Sequence, residues 1–304
     1  MRIVIALGGN ALGDSPLSQL ETCKLTARLL APIIEAGHEV VLTHGNGPQV
    51  GLINLAFSEA SQNNTKICEM PFSECGAMSQ GYIGYHLQNA LVNELNQKGI
   101  KKDVVSIITQ VEVDPNDPAF RNPTKPIGAF YTESQAKELG VPVKEDAGRG
   151  WRRVVASPKP VKIIELEAIK TLLSNGKIVI TCGGGGIPVI KQDNQYQGIA
   201  SVIDKDFASS KLATDLNADC LLILTAVSHV ALNYNKPNQE LLHEVRVKDL
   251  EAYNQMGHFH AGSMKPKVEA CIAFLKANPG KCAIITSIEE ANNALAGLSG
   301  TKIY

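Results

Sequence analysis

Three short apolar runs in this chain each stop at glycine. Arg2–Leu7 ends at Gly8-Gly9, Glu39–Thr43 at Gly45-Asn46-Gly47, and Lys177–Thr181 at Gly183–Gly186. β-Branched runs of this length read as buried strands. Helical spacing follows the first of them. Leu20, Cys23, Ala27, Leu30 and Ile34 recur on one face, after Asp14 or Ser15 as cap and Pro16 in the first turn, and before Gly37. Pro48 opens another helix, residues 76–98 form a longer one, and Val104–Val113 reads as a third strand. Helices are expected again over Glu165–Leu173, Phe207–Leu216 and Val268–Lys276, with strands at Cys220–Thr225 and Ala283–Thr286. Strands alternating with helices predict an α/β chain, a mostly parallel sheet covered on both faces as a three-layer sandwich.

The alternation stops between Asp114 and about Pro160. Seven prolines and many charges fall there, with no sustained period of either kind. So long a structureless loop does not suit a compact domain. The stretch is expected to be a small protruding subdomain, residues 114–156, with a hairpin and a short helix near Glu133–Leu139. Trp151 is the expected anchor of its core.

In open α/β sheets, ligands bind at the carboxyl ends of the strands. Glycine there lets backbone N–H groups approach an anion, and a following helix start favours negative charge. Three such turns together predict an anion site. It is not a P-loop, since G-x-x-x-x-G-K-[ST] is absent, and G-x-G-x-x-G is absent too. No G-x-S-x-G elbow or signature catalytic cysteine marks a covalent mechanism. His258 and His260 are too close in sequence for a helical metal pair and read as packing or surface residues.

Lysines stand near the expected anion loops instead. Lys125 lies between prolines in Asn122–Gly128, Lys205 at a helix start in Val202–Phe207, and Lys267 at another in Gly262–Lys267. A helix start is electrostatically poor for lysine unless an anion binds there. Lysines without a nucleophile suit phosphoryl transfer, which depends on positioning and charge neutralisation. An acceptor that is already an anion needs no general base.

Lys plus Arg number 29 and Asp plus Glu 30, so no basic surface for nucleic acid or anionic membrane is expected. The seven cysteines form no C-x-x-C pair, and no apolar run approaches the ~20 residues of a membrane span. A cytoplasmic protein with free thiols is expected.

These residues also carry a family resemblance. Ala6–Ala11, Thr43–Gly51, Ser79–Tyr85, Asn122–Gly128 and Lys144–Arg152 resemble carbamate kinases, members of the amino acid kinase fold family. Gly183–Pro188, Val202–Ser209, Gly257–Phe259 and Gly262–Met264 extend the likeness over nearly the whole chain. The resemblance implies one domain, 1–304, with residues 114–156 inserted in it. About 1–200 would hold the carbamoyl and phosphoryl side, and 201–304 the nucleotide. It implies a homodimer that, with Mg²⁺, converts carbamoyl phosphate and ADP to carbamate and ATP, as in arginine breakdown or, alternatively, purine or allantoin breakdown. Gly8, Gly9, Asn10, Gly45, Asn46 and Gly47 would cradle the small substrate. Lys125, Lys205 and Lys267 would be catalytic, Asp206 would orient the lysines, and no side chain would be a dedicated metal ligand. Lys205, Lys267, Tyr234 and Met264 would contact the nucleotide. Two positions depart from the family: Ser228, where an acidic residue is common, and Lys265, where a leucine-like residue is usual and which is expected to face solvent. Two other readings are a kinase of another small carboxylate or a nucleoside monophosphate on the same fold, and a non-catalytic carbamoyl-phosphate or nucleotide sensor.

Overall fold

The computed structural model describes residues 1–8, 12, 15–146, 148, 150–260 and 262–304. Among them, eight strands form the central sheet. Their order is 244–245, 301–303, 282–287, 220–225, 2–7, 39–44, 178–180 and 104–106. Every neighbouring pair is parallel except 282–287 with 301–303. The expected sandwich is therefore present.

Two-residue periodicity divides each central strand between two cores. Ile3, Ile5 and Leu7 point to one face, packing with Leu30 and Ile34 of helix Pro16–Glu35 and Ile83, Leu87 and Leu91 of helix Phe72–Gln97. Val4 and Ala6 point to the other, with Leu212 of helix Lys205–Asp215 and Phe274 of helix Met264–Ala277. Helices Leu166–Ser174 and Val247–Gln255 join that second layer through Ile169 and Leu250.

Val104–Val113 is not one strand. Val104–Ser106 joins the central sheet, whereas Gln110–Val113 joins a four-stranded sheet with 160–163, 187–192 and 195–198. The break has a local cause. Gln80 accepts the Thr109 N–H at 2.8 Å and donates to the Thr109 carbonyl at 3.0 Å. Thr109 N–H is thereby withheld from the central sheet while its carbonyl also accepts the Ile187 N–H, and the chain changes sheet there. Another missed feature is the hairpin 187–198, whose turn residues Asp193 and Asn194 have φ of 48° and 62°. An Asp-Asn pair between strands is the signal for this left-handed turn.

The irregular middle stretch folds as an arm. Strands Lys125–Tyr131, Val143–Glu145 and Trp151–Val155 form an antiparallel sheet, with helix Glu133–Glu138 beside it. Its packed centre is Ile127 and Val155 against Val202 of the main body and Phe72. Trp151 is only half-buried and lies outside that cluster. The arm crosses helix Gly47–Asn63 so closely that a Cβ on Gly51 would lie 2.1 Å from the Gly128 Cα. Gly128 itself has φ of 70°. Glycine at both positions is what allows this crossing. Arg153 adds a hydrogen bond across it, donating to Asn54 at 2.7 Å.

Candidate active site

A cleft of about 250 Å³ opens where the arm meets the carboxyl ends of the central strands. Its walls include Gly45–Gln49, Lys125–Ile127, Asp146, Arg152, Gly184, Val202–Asp206 and Gly262, Ser263, Pro266 and Lys267.

Three helix starts converge on it. Helix Gly47–Asn63 begins at Asn46, whose side chain makes no cap bond and instead donates to Ser79 Oγ at 2.8 Å. Helix Met264–Ala277 begins at Ser263, also without a side-chain cap. Helix Lys205–Asp215 is capped, because Asp204 Oδ1 accepts the Asp206 N–H at 2.9 Å. Helix starts carry partial positive charge and N–H groups without helical partners, so their meeting favours an anion.

Asp206 organises the lysines. Lys205 Nζ donates to its Oδ1 at 2.5 Å and Lys267 Nζ to its Oδ2 at 3.0 Å. The carboxylate is only 2% exposed. Burial pushes its pKa up, but the Lys205 charge, and then that of Lys267, pull it well below the usual carboxylate range. Burial also opposes both ammonium groups. For Lys205 it prevails over the attraction of Asp206, with repulsion from Lys267 adding to it, and the pKa falls. For Lys267 the Asp206 charge and hydrogen bond outweigh burial, and the pKa rises. Across the cleft, Lys125 of the arm donates to Asp204 Oδ2 at 2.5 Å. Three ammonium groups thus face two carboxylates, a local excess of positive charge that is buried at Lys205 and Lys267 and part-exposed at Lys125.

The glycine turns divide their labour. Gly45 lines the cleft, and a Cβ there would be 3.5 Å from the Lys205 side chain. Asn46 and Gly47 line it as well. The run Gly183–Gly186 does not offer a row of N–H groups to an anion. Gly185 N–H donates to Cys182 and Gly186 N–H to Gly183. Gly184 packs so close to Asn46 that a Cβ would be 2.1 Å from its side-chain nitrogen. Here glycine serves close packing under the cleft floor. His44, beneath the second turn, donates from Nδ1 to the Gly45 carbonyl at 2.9 Å. Burial lowers its pKa to about 4. It is neutral at pH 7 and adds no charge to the site.

Gly8 ends its strand against the Leu224 carbonyl of the neighbouring strand and does not contribute to the cleft walls. Gly9 and Asn10 lie outside the described residues. Tyr234 is 55% exposed and Met264 packs against the main core, and neither contributes to the cleft walls. Ser228 Oγ is 3.0 Å from His229 Nδ1. Lys265 reaches along its helix toward Glu269 at 3.9 Å, outside the cleft lining. His258 and His260 join no metal-binding group, and among the described residues no three His, Cys, Asp or Glu side chains could hold a metal together.

Three cleft residues carried no role in the sequence reading. Arg152 pairs with Asp146 at 3.1 Å and donates from Nε to the Gly128 carbonyl at 3.1 Å. Asp204 joins the helix start to the arm. Its signal was readable, since an aspartate just before a helical run is a cap candidate. Arg152 closed the family-like segment Lys144–Arg152, but only the folded arm turns it inward.

Comparison with known proteins decides the family. Residues 1–286 match the amino acid kinase family. Carbamate kinase of Clostridium perfringens is 55% identical over 100% of this chain and 99% of its own. The carbamate kinase-like protein YqeA of Escherichia coli is 53% identical over 99% of this chain and 98% of its own. Carbamate kinase from Giardia lamblia bound to AMP-PNP superposes with a TM-score of 0.91 at 46% identity, covering 99% of this chain and 98% of that one. This chain belongs to the amino acid kinase family, in its carbamate kinase branch. The likeness extends beyond that branch as fold alone. UMP kinase from Bacillus anthracis aligns at a TM-score of 0.52 and 18% identity. Within the branch, the coverage spans both the arm and the main body, so the shared architecture includes both walls of the cleft.

Proposed function

We propose that this protein is a carbamate kinase, transferring a phosphoryl group reversibly between carbamoyl phosphate and ADP. The observation that carries the reading is the cluster of Lys125, Lys205 and Lys267 around two aspartates where three helix starts meet. Family membership and full-length likeness to carbamate kinases support it.

The P–O bond to the carbamate oxygen breaks as a bond from a β-phosphate oxygen of ADP to the same phosphorus forms. Carbamate leaves as an anion and the nucleotide oxygen carries no proton, so no general base is required. Lys205 and Lys267 neutralise charge on the nucleotide and transferred phosphoryl, and Asp206 fixes both ammonium groups. Lys125 reaches the phosphoryl from the arm. Gly45, Asn46 and Gly47, which line the cleft, are assigned to the small-substrate cradle, and Gly8, Gly9 and Asn10 are assigned to it on the family likeness alone. Tyr234 and Met264 belong to the nucleotide side, about residues 201–304, with the carbamoyl side in 1–200.

Mg²⁺ enters as part of the nucleotide substrate. Asp204 and Asp206 are both engaged by lysines, a donor set that fits a cation carried by phosphates better than a protein cage. When bound, it neutralises phosphate charge. A homodimer is supported by exposed Met78, Tyr85 and Ile108 on and beside helix Phe72–Gln97. The seven free thiols suit a reducing cytoplasm, and no described helix is long and apolar enough to cross a membrane. The family likeness suggests arginine breakdown as the pathway, with purine or allantoin breakdown as the alternative.

The test is to mix purified protein with MgADP and carbamoyl phosphate and follow ATP, with acetyl phosphate as control. ATP from carbamoyl phosphate is expected. Its absence, in a protein that binds ADP, overturns the reading.

A further inference from the structure

Asp204 is in contact with both walls of the cleft. It is 9% exposed, and each oxygen has a separate partner. Oδ1 accepts the Asp206 N–H and caps helix Lys205–Asp215. Oδ2 accepts from Lys125, which lies 79 residues earlier on the arm.

Capping accounts for Oδ1 alone. Asparagine or serine caps about as well as aspartate, and either would spare an anion-binding cleft a negative charge. What neither can do is hold an ammonium group by charge. A lysine on a four-carbon stem otherwise samples many rotamers, and must be fixed each time it is needed. The Asp204 tether keeps the Lys125 ammonium group at the cleft while fixing the start of the helix that carries Lys205 and Asp206. A phosphoryl dianion entering the cleft competes for that ammonium with a carboxylate monoanion, so loading can transfer it without a search.

We propose that Asp204 is a positioning residue for Lys125, holding its ammonium group for the incoming phosphoryl group. This rests on the carbamate kinase reading for its kinetic consequences. The tether itself can be measured without turnover.

The kinetic experiment is a double-mutant cycle on ATP formation with Asp204→Asn, Lys125→Ala and the double variant. Asp204→Asn keeps the capping oxygen. It is expected to lower kcat by about 10-fold to 10²-fold, the scale of a misplaced catalytic group, with KM for ADP within about twofold of wild type. In the Lys125→Ala background it is expected to have no further effect. Wild-type kinetics in Asp204→Asn overturn the proposal, as does an equal loss in both backgrounds. A loss restored by excess Mg²⁺ also overturns it, since Asp204 would then be acting on the metal. Asp204→Ser, which also caps, replaces Asp204→Asn if that variant does not fold. Amine acylation followed by peptide mass spectrometry is the second measurement. Lys125 is expected to react several-fold faster in Asp204→Asn than in wild type, while Lys276, far along its helix, is unchanged. An unchanged Lys125 rate overturns the tether even if the wild-type protein makes no ATP, which would be a failure of the functional reading alone.

Discussion

The two walls of the cleft solve one electrostatic problem by different means. On the body side, Lys205 and Lys267 stand on helices packed over the eight-stranded sheet, and both are bound to one buried carboxylate. On the arm side, Lys125 stands on a three-stranded sheet whose packed centre is Ile127 and Val155 with Val202, and one partly exposed ion pair holds it. The body wall is preorganised by a large core. The arm wall has only a small core of its own and rests on the body through the Gly51–Gly128 crossing, the Arg153–Asn54 bond and Val202, and its lysine is held by a single ion pair. A fixed pair of cations can stabilise developing charge without rearranging, whereas a cation on a single part-exposed tether can be handed to an incoming substrate.

This contrast can be broken in four ways. The largest effect is expected from Asp206→Ala. It leaves two buried ammonium groups without their counter-ion, which for buried pairs costs about 3–5 kcal/mol. Thermal unfolding should show a clear fall in Tm with activity abolished; an unchanged Tm would mean that the body wall is not held by this carboxylate. Next come Lys205→Ala and Lys267→Ala, each expected to lower kcat by about 10²–10³, the loss typical of one charge-stabilising donor. A near-wild-type rate in either removes that lysine from the mechanism. Lys125→Ala is expected to lower kcat by up to about 10² with little change in ADP affinity, because Lys125 stands on the arm, away from the Lys205–Lys267 pair. Calorimetric titration with ADP separates the two, and weakened ADP binding with intact turnover would erase the distinction between the walls. The smallest effect is expected from Gly51→Ala. Its Cβ would collide with the Gly128 backbone and lift the arm. Overpacking of this kind costs about 1–3 kcal/mol, and here it should fall on KM for carbamoyl phosphate more than on ADP binding. Equal effects on both substrates would show that arm and body move as one.

The same contrast explains what could be read without coordinates. The body was legible because buried parallel strands and amphipathic helices carry strong local patterns. Arg2–Leu7 is a strand as read, Glu39–His44 is one residue longer than read, and Lys205 stands at a helix start. The arm was legible only as an interruption, although its short helix was expected within a residue of where it lies. Its strands pair residues far apart with no period of their own, and its packing borrows Val202 from the body, so Trp151 looked like an anchor and is not one. The glycine run 183–186 misled for a related reason. Sequence reports that a backbone must come close to something, and only the fold reports that Gly183 and Gly184 approach His44 and Asn46. Val104–Val113 has a uniform strand composition, and its division depends on a glutamine from another helix.

The position of the first strand has a consequence for how the chain is made. Arg2–Leu7 lies inside the sheet, between 39–44 and 220–225. One side is matched soon after synthesis begins. The other waits for residues more than two hundred positions later, and at ribosomal speeds of about 5–20 residues per second that interval is roughly 10–40 s. Throughout it, a flat apolar edge made of Ile3, Val4, Ile5 and Ala6 is open to any passing strand. The nascent chain therefore needs shelter at its beginning, from a holding chaperone or from its own first helices, until the second half of the sheet arrives.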